Sequence, residues 1–98
     1  MTHYIAVIHK DAHSSYGVSF PDVPAVHAAG ETLEEAIAQA AEALAFAAED
    51  WRSLTGTDFP APRTIDDLRD DPVFAASAQN AIFAAIPFDD TRLPTAAE

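Results

Sequence analysis

The chain has 98 residues, is 49% hydrophobic, contains no cysteine and carries a formal net charge of −11 from sixteen acidic and five basic side chains. That is enough for one small domain, and it excludes a disulfide framework and any thiolate metal site. A surface this acidic repels phosphate, so nucleic-acid binding is not supported for this chain alone, whereas a basic protein partner is attracted and steered to it.

The N-terminal "MTHYIAVIHK" has neither a basic leader nor a long apolar stretch, so it does not read as a signal peptide. No apolar run approaches the roughly 20 residues that span a bilayer. These features predict a cytoplasmic protein with no membrane association, and the lack of cysteine agrees with a reducing compartment.

In chain order, the segment from His3 to His9 is rich in β-formers and apolar on both sides, with Ile5 and Val7 on one and Tyr4, Ala6 and Ile8 on the other. A strand buried on both faces belongs at the centre of a sheet. "KDAHSS" is turn chemistry, and Tyr16, Val18 and Phe20 alternate with Gly17 and Ser19 as a half-buried strand, so the two form a hairpin. "PDVP" ends the second strand because Pro21 and Pro24 donate nothing to a ladder, while Asp22 accepts from nearby backbone N–H groups. A short third strand is predicted over Ala25–Ala29, followed by Gly30 at a position where a side chain is barred.

Thr32 with Glu35 three residues on forms a capping box, and Glu31, Glu34 and Glu35 place negative charge at the positive end of the helix dipole. The helix is predicted to run to about Trp51. Its apolar stripe is Leu33, Ala36, Ile37, Ala40, Leu44, Ala47 and Trp51, with Glu35, Glu42, Phe46 and Glu49 on the opposite side. The loop Arg52–Arg63 follows. Thr64 caps a short helix, "IDDLRDD", Pro72 interrupts it, a further helical turn spans Val73–Ala78, and the last strand spans Ala81–Phe88. Residues 89–98 read as a frayed tail, leaving 1–88 as the domain.

The element order is therefore β-β-β-α, a short α, then β: an α+β domain. A right-handed crossover after a three-strand meander predicts a mixed sheet of order 3-2-1-4, the last strand parallel to the first. One long helix covers only one face, so the other needs the short helix or another subunit. That uncovered face and the free edge of the last strand predict a homodimer or higher oligomer.

The stretch "YGVSFPDVPAVHAAGETLEEAIAQAAEALAFAAEDW", with the preceding "YIAVIHK", resembles the HicB-like antitoxins of bacterial toxin–antitoxin pairs. The likeness is close from Tyr4 to Trp51 and looser through to Phe88. It implies a partial RNase H-like fold and a partner, a small basic HicA-like toxin that cleaves mRNA and whose active site the antitoxin masks. Pro21, Asp22, Pro24, Gly30, Thr32 and Glu35 match the family as builders of the joint between strand and helix; no catalytic residue and no cofactor transfers. Where family members often have Pro-Gly, this chain has Pro24-Ala25. Many members also repress their operon through an appended DNA-binding element, which is not seen in these 98 residues, so operator binding is not carried over.

The expected toxin contacts are Glu42, Phe46 and Glu49 on the long helix, an aromatic in an acidic surround, and Asp66, Asp67, Asp70 and Asp71 on the short one. Solvated helix faces account for such acids too, and Trp51 and Phe59 belong to the core. Two other readings compete with this one. An orphan oligomeric module without a toxin shares every structural feature. An RNase H-like nuclease needs clustered carboxylates on its sheet, and "YIAVI" in the first strand supplies none. His3 and His9 share a face but lie about 20 Å apart along an extended strand. A pair such as His9 with His27 depends on sheet register, and all four histidines read as solvated strand-end residues.

Overall fold

A computed structural model describes residues 2–10 and 15–88. The elements are β1 (Thr2–Lys10), β2 (Tyr16–Ser19), β3 (His27–Gly30), α1 (Leu33–Thr55), α2 (Ile65–Arg69), α3 (Pro72–Ser77) and β4 (Ile82–Phe88). They form an α+β domain with one four-stranded sheet in the order β3-β2-β1-β4. The order and the central place of β1 follow the sequence reading. The direction of β4 corrects it: β4 pairs antiparallel with β1, Ile8 opposite Ile82 and Thr2 opposite Phe88, so the sheet is antiparallel throughout rather than mixed.

The reason lies in the connection. A single crossover by α1 delivers a parallel strand, but this chain crosses twice. Along the first face, α1 runs for about 35 Å. The segment after it wraps the end of the sheet, where Phe59 packs edge-on against Tyr4 and Trp51 and stacks on Phe88. The Tyr4 hydroxyl donates to the Pro60 carbonyl there. Then α2 and α3 carry the chain back along the second face to the start of β4.

Two apolar layers result. Tyr4, Ala6, Ile8, Val18, Ile86 and Phe88 pack with Ala36, Ala40, Leu44 and Ala48 beneath α1. On the far face Val7 is buried with Leu68 and Phe74, with Ile5 and Ile65 packed alongside. The face left open by α1 is thus partly roofed by this chain's own short helices. Trp51 and Phe59 are half-buried against the α1 layer, in keeping with their core assignment.

The joint between β2 and α1 is built from two consecutive β-turns. The Val23 N–H donates to the Phe20 carbonyl and the Val26 N–H to the Val23 carbonyl. Each turn has proline at its second position, where a fixed φ is pre-set for the bend. Phe20, Val23 and Val26 at the turn corners are all buried. The second turn uses up Val26, so β3 begins at His27 rather than at Ala25. Asn80 is the one described non-glycine residue with positive φ, so Ala25 sits in its turn without needing glycine.

Gly30 is required by proximity. A Cβ built on it lies 2.4 Å from the Ala36 nitrogen and 2.8 Å from its Cα, inside the first turn of α1. That turn is capped as expected: the Glu35 N–H donates to Thr32 Oγ1 at 3.1 Å, while Glu35 Oε1 reaches back to the Glu31 N–H at 3.4 Å. At the other end α1 continues past Trp51 to Thr55. It stops at Gly56, whose φ of 74° and N–H bond to the Arg52 carbonyl make a left-handed cap. Leu54 is 83% exposed, so the apolar stripe ended before the helix did. Thr64 caps α2, and Pro72 opens α3 rather than breaking α2, with Asp71 as its cap. The predicted turn at residues 11–14 and the tail at 89–98 lie outside the described residues.

Candidate functional site

The outer side of α1 carries Glu35, Gln39, Glu42, Phe46 and Glu49 at three- and four-residue spacing, one continuous stripe on a helix. Phe46 is 70% exposed within it. Beside the stripe, α1 and the chain entering β3 enclose a cleft of about 400 Å³. Its walls are Ala25, Val26 and His27 on one side and Gln39, Glu42, Ala43, Phe46 and Ala47 on the other. The cleft is therefore apolar at its base, aromatic at one wall and acidic at its lip. Of the expected contacts, Glu42 and Phe46 line it, and Glu49 lies exposed one turn further along.

The second expected group falls elsewhere. Asp66 and Asp67 are exposed in the first turn of α2, and Asp70 is its exposed C-cap, on the layer that covers the opposite sheet face. The two acidic sets do not form one surface. Asp71 is already engaged within the fold. Its Oδ1 accepts the Val73 N–H at 2.9 Å, capping α3, and its Oδ2 accepts Arg63 Nη1 at 2.9 Å. The hydrogen bond from Arg63, followed by that from the Val73 backbone, holds the Asp71 carboxyl below the usual aspartate range, and the same pairing raises Arg63.

Arg63 also holds Asp22. Its Nε donates to Asp22 Oδ1 at 2.6 Å and its backbone N–H to Oδ2 at 2.7 Å. The partners of Asp22 are thus supplied from across the fold rather than from its own turn.

Sequence reasoning missed the cleft's far wall. Ala25 and Val26 close the second turn instead of opening the third strand, and only the repeat of proline every third residue signals that turn. Sequence reasoning anticipated β4 as an edge strand but not the groove beside it: Ile82 is 43% and Phe83 45% exposed next to a groove of about 460 Å³ lined by Ile65, Arg69, Phe74, Ala75, Ala78 and Phe83.

His3, His9 and His27 are all exposed, and His13 lies outside the described residues. Among the described residues no three His, Asp or Glu side chains converge as a metal site, and no described helix is long and apolar enough to cross a membrane. The exposed chemistry of the described residues includes acidic side chains, the aromatics Phe46 and Phe83 and an uncharged strand edge, the materials of a docking surface.

The geometry defines a small α+β domain with an antiparallel 3-2-1-4 sheet and a long capped helix. Over residues 4–98 the chain matches the family model described as the HicB-like antitoxin of bacterial toxin–antitoxin systems. The crystal structure of the Burkholderia pseudomallei antitoxin HicB is similar at a TM-score of 0.72 and 34% identity, covering 96% of this chain and 67% of that one. The crystal structure of the N-terminal domain of that antitoxin is similar at a TM-score of 0.72 and 32% identity, covering 90% of this chain and 99% of the domain. No curated protein sequence matches. The chain belongs to the HicB-like antitoxin family.

Proposed function

We propose that this chain is the antitoxin of a toxin–antitoxin pair, acting in the cytoplasm without enzymatic activity, and that it binds and occludes a small basic HicA-like toxin that cleaves mRNA. On this reading the sheet is a partial RNase H-like scaffold used without metal chemistry, and the chain works as a homodimer or higher oligomer. Family membership supports an antitoxin role, and the net charge of −11 suits a basic partner. The observation that carries the reading is Phe46, an aromatic left 70% exposed at the lip of an apolar cleft and flanked by Glu42 and Glu49. An exposed aromatic at the centre of a charged surround has the composition of an interface anchor. Asp66, Asp67 and Asp70 add to the field that steers the toxin from the other layer; Asp71 serves the fold first.

The test is co-expression with a small basic protein encoded by a flanking gene. Co-purification of the two and restored growth of cells expressing the toxin are expected. Absence of both would leave the orphan module as the better account, and degradation of RNA by this chain alone would overturn the non-enzymatic reading.

A further inference from the structure

Among the described residues no strand pairs with the outer edge of β4, and the composition of that edge specifies a partner. The seven residues of β4, "IFAAIPF", contain no charge, and the strand is longer than β3, the other edge, which has four residues. Edges are ordinarily blunted by lysine, by bulges or by a cover. Here the one blunting residue is Pro87, opposite His3 in the ladder with β1. Proline has no N–H, so the hydrogen-bonded pairs with β1 fall on its neighbours, and the even-numbered residues of β4 face β1. Phe83, Ala85 and Pro87 then point their backbone groups outward. The outer edge offers two donors, on Phe83 and Ala85, followed by one position that only accepts.

We propose that this edge pairs antiparallel with β4 of a second copy, about a two-fold axis through Ala84, making one eight-stranded sheet. This deepens the oligomer reading given above and rests on it. In that register Phe83 and the partner's Ala85 exchange both hydrogen bonds, and so do their symmetry mates. Both Pro87 residues fall outside the paired segment, and each large Phe83 faces a small alanine. Shifting the axis to Ala85 sets each Phe83 carbonyl against a partner's Pro87, which has nothing to donate. Charge points the same way. A basic toxin is drawn to the acidic helices, whereas two copies of net charge −11 meet with least repulsion along an uncharged strand. The groove beside the edge carries a single charged residue, Arg69.

The test uses the full 98-residue chain, which has no cysteine of its own. Light scattering at tens of micromolar is expected to give a mass of two chains or an even multiple of the 10.4 kDa protomer. Ala85→Pro removes an outward donor and no bond to β1, so it gives a folded monomer; Phe83→Lys, charging the exposed edge, does the same by an independent route. Ala84→Cys cross-links on oxidation, since two-fold partners in a non-hydrogen-bonded pair lie about 4.5 Å apart at Cα, within disulfide reach. Ala85→Cys, displaced from its mate in this register, does not. A wild-type monomer overturns the proposal, as does a dimer that survives both edge variants. Cross-linking through Ala85→Cys in place of Ala84→Cys overturns the register. Loss of toxin capture by Ala85→Pro in a chain already monomeric assigns the edge to the toxin and equally overturns it. A dimer of the stated register that captures no toxin sinks the antitoxin reading and leaves this one standing.

Discussion

The carboxylate of Asp22 is held by both the backbone and the side chain of Arg63, 41 positions away. Its side chain is 7% exposed, and that of Arg63 is 39%. The contact fastens the double turn after β2 to the segment that carries the chain onto the far face of the sheet. Arg63 continues the network to Asp71, which caps α3. Asp22→Ala is expected to lower Tm more than Asp22→Asn, whose amide oxygen still accepts from the Arg63 N–H. In a double-mutant cycle with Arg63→Ala the two losses are expected to be less than additive, because either change breaks the same contact. Additive losses in thermal melts would show that the two residues act independently.

The Asp71 carboxyl sits below its ordinary range because Arg63 and the Val73 N–H bond its charged form. A depressed folded pKa stabilises the native state above the unfolded value, near pH 3.8, and that contribution is lost as pH falls through the folded value. Arg63, already basic and raised further, stays charged throughout. Melts between pH 6 and pH 2 are therefore expected to show an acid limb that is shallower in Asp71→Asn. An identical acid limb in that variant would remove Asp71 from the account.

Two glycines predict losses of different origin. Gly30→Ala drives a Cβ to within 2.4 Å of the Ala36 nitrogen, so the helix start must shift; overpacking of this kind costs about 1–3 kcal/mol. Gly56 has open space around it but a φ of +74°. Ala there costs about 1 kcal/mol through backbone strain alone. Denaturant melts of both variants check the order, and the larger loss at Gly56 would contradict it.

The joint was legible because its chemistry is local. Thr32 and Glu35 lie one helical turn apart, and Pro21 and Pro24 each pre-set a β-turn within four residues. The stripe on α1 was legible for the same reason, being a matter of period. What depended on distant groups was not. The carboxylate of Asp22 turns away from its own turn toward an arginine that sequence spacing does not connect to it. Asp71 resembles its acidic neighbours in sequence and differs in capping α3 and in having Arg63 beside it. The direction of β4 depended on whether α2 and α3 occupy the same face as α1 or the opposite one, and two helices as short as those in "IDDLRDDPVFAAS" carry no apolar period long enough to indicate which. The cleft beside Phe46 needed both the double turn and the helix in place before its walls existed.

The surface of α1 separates two contributions to toxin binding, and kinetics can resolve them. Glu42 at the cleft and Glu49 one turn beyond it are both exposed, where solvent screens them; such charges accelerate encounter more than they hold the complex. Glu42→Gln with Glu49→Gln is expected to slow association by up to about tenfold at low salt, an effect that fades as salt rises, with dissociation little changed. Phe46 is the group that loses exposed apolar area on docking, so Phe46→Ala is expected to speed dissociation by about tenfold or more and leave the salt dependence intact. Because Phe46 is 70% exposed in the free chain, that substitution leaves Tm nearly unchanged. Surface plasmon resonance against the small basic protein captured in the co-expression test reads both rates. Unchanged dissociation for Phe46→Ala, in a variant with wild-type Tm, would move the toxin off this helix and onto another part of the molecule.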